Sequence, residues 1–151
     1  MIIESPAFKN NDRIPSKYTC DGEDASPELR WRDAPKDAKS FALICDDPDA
    51  PTGVFVHWVI FNISSGETGL KENLPAKAML PNDIVQGRND FGRNGYGGPC
   101  PPSGTHRYFF HLYALDAILN LSQRTTKQQL LKAVQGHVLA EAELMGTYGR
   151  R

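Results

Sequence analysis

Two stretches of the chain gather side chains able to manage a proton or hold an anion. Asp46, Asp47 and Asp49 stand in "DDPDAP", with His57 following in "HW", and His106 and Tyr108 come much later in "HRY". An anion pocket needs donors. Protonated imidazoles offer two each, a tyrosine hydroxyl one, and successive backbone N–H groups of a Gly-rich loop can form a concave nest. A carboxylate beside an imidazole accepts its proton, fixes its tautomer and raises its pKa, so that the ring would bind as a cation. One carboxylate, Asp47, set against two imidazoles, His57 and His106, would leave a net positive site.

Each of these residues also has a plainer role open to it. Aspartates in Pro-containing turns bond their own backbone, and a histidine on an apolar strand is ordinarily a satisfied core residue. Asp46 is expected to face solvent, and Asp49 to brace the loop or pair with an arginine. His111, on the opposite face of its strand from His106, is expected to be packed or exposed, and His137 to be structural. Arg88, Asp90 and Arg107 could hold a loop through ion pairs. Ser103, three residues before His106, invites a hydrolase reading. It lies in "PPSGT", however, and not on a strand-to-helix elbow. Two histidines and a carboxylate also match non-haem iron ligands, but the usual close H-x-D pair is missing. No catalytic residue, metal ligand or cofactor is expected.

The frame that must position these groups is a single domain spanning residues 1–151, with 40% hydrophobic and 23% charged residues and a formal net charge of −1. A globule of this size buries roughly 70% of its unfolded surface. So balanced a charge supplies no field toward nucleic acid or an anionic membrane. Cys20, Cys45 and Cys100 stand singly, which predicts no structural disulfide and a reducing, cytoplasmic setting. The start "MIIESPAFKN" has no basic leader, and the apolar run "GVFVHWVIFNI" is too short to cross a bilayer.

Dense glycine and proline punctuation separates runs rich in β-branched and aromatic residues, the rhythm of a β-sandwich. Strands are predicted over 40–47, 55–63 and 106–116, with a short one over 1–3. In the second, alternation puts His57, Val59, Phe61 and Ile63 on one face. In the third it sets Tyr108 beside His106. Residues 82–105 show no periodicity and predict a long loop, packed by Phe91 and Tyr96. Thr126 followed by Gln129 resembles a capping box opening "KQQLLKAVQ". From there either a helix runs through Gly136 to Met145, or Gly136 caps it and "VLAEAELMGTY" is a strand. The acid/apolar alternation favours the strand.

"DDPDAP", the "HW" of 57–58 and "GPCPPSGTHRYFFHLYALD" (98–116) together resemble the phosphatidylethanolamine-binding protein family, also called the Raf kinase inhibitor family, in its bacterial and archaeal branch. "YTCDGEDASPELRW", "GRNDFG" and "GHVLAEAELMGTYGR" extend the match over nearly the whole chain. The resemblance implies an antiparallel Greek-key β-sandwich with a short helix near the C-terminus, and it favours the helix, Gly136, strand order. It also implies a non-catalytic pocket for phosphate-like or carboxylate anions, phospholipid headgroups included. By motif position the pocket would use Asp47, His57, His106 and Tyr108, with Gly98 and Pro99 as its backbone wall. Only "TGVFV" separates "DPDAP" from His57, a shorter connection than in eukaryotic members, so one of their pocket walls has no clear counterpart. Family members also inhibit kinases or serine proteases, and prokaryotic ones often pair as homodimers. Such an enzyme or a second copy of the chain is therefore an expected partner.

Overall fold

The computed structural model describes residues 1–150. Eight strands and one helix follow in order: β1 (Ile2–Glu4), β2 (Leu29–Arg32), β3 (Ser40–Asp47), β4 (Phe55–Ser64), β5 (Gly69–Leu70), β6 (Val85–Gln86), β7 (Thr105–Leu115), α1 (Lys127–Val134) and β8 (Val138–Gly149). They form two antiparallel sheets, β1-β2-β5 and β6-β4-β3-β7-β8. The predicted strands and the predicted helix are all present. Strands β2, β5 and β6 are too short for their periodicity to stand out from the surrounding loops.

Both faces of the larger sheet are covered, which explains why every residue of β3 is buried. On one face Phe41, Leu43, Trp58, Ile60, Phe110 and Leu112 meet Ile3, Leu29, Trp31 and Leu70 of the smaller sheet. On the other, Ala42, Ile44, Val59 and Phe61 pack beneath Leu130 and Val134 of α1. A strand with two covered faces reads as a continuous apolar run, as "SFALIC" and "VIF" do.

Helix α1 starts on the predicted capping box. The Thr126 side chain accepts from the Gln129 N–H, and the Gln129 side chain accepts from the Thr126 N–H. Beyond the last turn Gly136 takes a φ of +81°, the left-handed conformation that glycine adopts most readily, and the chain reverses into β8.

Two irregularities in β4 change what alternation predicts. Along β3 the partners step from Cys45↔Trp58 to Asp46↔Val56, leaving His57 as an extra, unpaired residue. A second extra residue lies between Ile60 and Ile63, where Asn62 has a φ of +58°. Bulges of this kind re-aim a side chain. His57 therefore does not share a face with Val59 and Phe61, which lie beneath the helix, but turns to the Tyr108 side. Ile63, past the second bulge, likewise joins the core between the sheets.

The predicted loop is interrupted by β6, which pairs with β4, and the stretch after it is tied down by hydrogen bonds. Asn89 accepts from the N–H groups of Phe91 and Arg93 and donates to the Gly95 carbonyl, and the Tyr96 hydroxyl donates to the Tyr18 carbonyl. Asp90 anchors the loop by accepting the Val56 N–H at 2.7 Å, a backbone bond in place of the expected ion pair. Phe91 is not buried in the loop: it lies at the surface against Phe55 and His57.

One expectation fails outright. Cys20 and Cys100 form a disulfide across 80 residues of sequence, while Cys45 is free and buried. Local spacing could not reveal it, because the pairing is made by the loop folding back. There Pro99 accepts the Cys20 N–H and Asp24 accepts the Gly98 N–H. The cysteines consequently give no support to a reducing compartment. Among the described residues, no helix is long and apolar enough to cross a membrane.

Candidate functional site

Asp47, at the end of β3, receives the Nδ1–H of His106 on Oδ2 at 2.7 Å and the Asp49 N–H on Oδ1 at 2.7 Å. Two residues on, Tyr108 lies on the same face of β7 as His106, their rings stacked at 6.5 Å. The bulged His57 approaches from β4, its ring 5.2 Å from that of Tyr108 and edge-on to it. Strands β4, β3 and β7 are adjacent, so these four side chains meet at one sheet end. They border a cavity of about 310 Å³. The remaining walls are largely apolar and include Ala50, Pro51, Phe55, Phe91, Pro101 and Pro102.

Valences differ sharply among the four. The Asp47 oxygens are both engaged. The Tyr108 hydroxyl is buried and has no hydrogen-bond partner among the described residues. Burial also pushes its pKa up, with the Asp47 charge adding to the effect, so it stays a neutral donor. An orphaned buried hydroxyl costs about 1–3 kcal/mol of desolvation, and such groups call for an explanation. His57 donates Nδ1–H to the Gly97 carbonyl at 2.6 Å. Burial pulls its pKa below the usual 6.5, outweighing that carbonyl and the Asp47 charge. The ring is therefore neutral at pH 7, and the expected pair of cationic imidazoles does not form.

The wall also departs from expectation. The Gly97 and Gly98 N–H groups are committed to the His57 carbonyl and to Asp24, and the Pro99 carbonyl to Cys20. Gly98 and Pro99 thus sit behind the cavity and offer it no backbone nest. Cys100, Pro101 and Pro102 line it instead. A Cβ at Gly97 would displace the Phe91 ring from its place against the cavity.

Asp49 pairs with an arginine as expected. Arg107 contacts it through Nε at 2.9 Å and Nη2 at 2.8 Å, which holds its carboxyl at about 2. Ser103 is exposed and lies outside the cavity lining, so it is not presented to His106. No group of three or more His, Cys, Asp or Glu side chains converges to hold a metal among the described residues.

Asp46 overturns its expectation of solvent exposure. It is 5% exposed and accepts from Lys127 Nζ at 2.7 Å and His111 Nε2 at 3.1 Å. Burial alone would push its pKa up, but those bonds and charges hold it below the usual aspartate value of 3.8. His111 also faces Glu143 at 3.5 Å.

Residues 4–149 match the family model of the phosphatidylethanolamine-binding protein. The chain belongs to this family. A UPF0098 protein of the archaeon Methanothermobacter thermautotrophicus is 58% identical over 150 residues, covering 99% of each chain. Among solved structures, a putative phosphatidylethanolamine-binding protein homologue from Chlamydia trachomatis superposes with a TM-score of 0.92 at 42% identity, covering 99% of this chain and 97% of that one. YbcL of E. coli, described as a new member of the mammalian family, gives 0.91 at 31% identity, covering 99% and 98%. For a phosphatidylethanolamine-binding protein, the mouth where Asp47, His57, His106 and Tyr108 converge brings a carboxylate, two imidazoles and a phenol onto a single cavity.

Proposed function

We propose that this chain is a binding protein for small anions, taking a phosphate, a phosphomonoester such as a phospholipid headgroup, or a small carboxylate between β3, β4 and β7. The observation that carries the reading is the Tyr108 hydroxyl, a buried donor left without an acceptor on a residue that lines the cavity. An anion oxygen would supply that acceptor. His106, oriented by Asp47, would present its opposite nitrogen to the same ligand. The reading is one of binding without catalysis. Ser103, the nucleophile the sequence offered, is exposed and outside the cavity lining.

The test is a titration with inorganic phosphate and with phosphoethanolamine, following the ring resonances of His57 and His106. Saturable shifts of both rings, weakened about tenfold in Tyr108→Phe, are expected from the loss of one hydrogen bond to a charged group. Silence of both rings up to millimolar ligand would overturn the reading.

A further inference from the structure

The protonation pattern of the pocket says more about its ligand than that it is an anion. A carbonyl can only accept, so the 2.6 Å bond from His57 to Gly97 fixes the proton of a neutral ring on Nδ1. Nε2 is then the acceptor nitrogen of the neutral ring, on a residue that lines the cavity. The pocket therefore offers an acceptor a few ångströms from its donor. Among the described residues, no lysine or arginine lines the cavity. The titratable groups facing His57 are Asp47 from β3, Asp24 from the loop before β2, and His106 and Tyr108 from β7. Two of these are carboxylates, and none is a permanent cation.

We infer that the pocket selects acid groups that keep a proton on one oxygen, the monoanion of a phosphate or phosphonate ester, over fully deprotonated dianions and over acceptor-only monoanions of the same shape. This rests on the anion reading above and narrows it. The anionic oxygen of such a ligand accepts from Tyr108 while its P–OH donates to His57 Nε2. A sulfate ester has the same shape and a single charge, but no proton to give. It leaves Nε2 facing an oxygen lone pair, and a site built around a hydrogen bond discriminates strongly against a ligand that cannot complete it. A phosphate dianion has the same fault and brings a second charge to a site without a fixed counter-cation.

Phenyl phosphate and phenyl sulfate are the probes, chosen because Pro51, Phe55, Phe91 and Pro101 give the cavity apolar walls suited to an aryl group. Both affinities are measured by calorimetry from about pH 5.5 to 8, across the second ionisation of a phosphomonoester near 6. Their ratio cancels protein titrations that both ligands share. Phenyl phosphate is expected to bind at least tenfold more tightly at about pH 6, with the ratio falling roughly tenfold per unit above that as the monoanion disappears. A ratio that stays flat or rises with pH, with both ligands binding, overturns the inference and leaves the anion reading standing. Binding of neither ligand, nor of inorganic phosphate, fails both. In His57→Phe the preference for phosphate is expected to collapse to within about twofold. Should that variant not fold, the wild-type ratio decides alone, and ring ¹⁵N spectra that place the His57 proton on Nε2 would overturn the inference independently.

Discussion

Asp46 and Asp47 are consecutive residues of one strand, and the sheet sends them to opposite faces with opposite consequences. Asp46 meets Lys127 and His111 beneath α1, and the second nitrogen of His111 is turned to Glu143. In that cluster each charge has a partner, and the Lys127 bond clasps the helix to the sheet. Asp47 is just as fully bonded, to His106 and to the Asp49 N–H, but its neighbours are not. The Tyr108 hydroxyl beside it keeps an unspent valence, and Tyr108 and His57 both line a cavity. A buried carboxylate with a histidine does not by itself make a site. Unsatisfied polar groups around a void of ligand size do.

The largest effect expected from breaking this contrast concerns the wall behind the pocket. In the chain-entropy account, a disulfide closing a loop of 80 residues stabilises by about 4.5 kcal/mol. Cys20→Ser combined with Cys100→Ser, or reduction by a dithiol, should lower the unfolding free energy by that order in denaturant titrations. Because Cys100 lines the cavity, the ring signals of His57 and His106 should move while that of His111 stays. A loss below about 1 kcal/mol would show that the bridge does not hold the fold, and movement of His111 alone would assign it to the wrong face.

Next in size is the contrast itself. Asp46→Ala strands a partly buried lysine without its partner and should cost about 3 kcal/mol, leaving anion affinity within about twofold. Tyr108→Phe should do the reverse. It removes a hydroxyl that already lacks a partner, so stability should stay within about 1 kcal/mol of wild type or rise, while anion binding weakens. Should Asp46→Ala lose the ligand as Tyr108→Phe does, the two faces are coupled and the distinction drawn above fails.

Much of this was readable in the residues. Alternation along "HRYFFHL" places His106 and Tyr108 on one face, and the capping box marks where α1 begins. The family resemblance brought Asp47 to them from 59 residues away. What could not be read depends on the meeting of distant segments. The bulge at His57 exists only in register with β3, so strict alternation sent that residue beneath the helix. Asp46 looks exposed at a strand end until α1 docks and Lys127 reaches across 81 residues. Gly98 and Pro99 share the pocket's segment, but hydrogen bonds to the 18–25 region draw their backbone away from the cavity.

The smallest expected effect separates the two faces by pH. Both His57 and Asp46 have folded-state pKa values below those of the unfolded chain, 6.5 and 3.8 respectively. In each case the unfolded chain takes up the proton first as the solution is acidified. The stabilisation is therefore complete above the unfolded value and is lost as pH falls through the folded one. His57 should contribute a loss beginning below 6.5, and Asp46 a separate one beginning below 3.8. Neither slope can exceed about 1.4 kcal/mol per pH unit, the limit for one proton. Stability against pH for wild type, His57→Phe and Asp46→Asn reads them apart: the first variant should flatten only the upper window, the second only the lower. An upper window unchanged in His57→Phe would mean that the ring titrates alike in both states. The Nε2 acceptor inferred for the pocket at neutral pH would then lose its physical basis, because burial would no longer be holding the imidazole neutral.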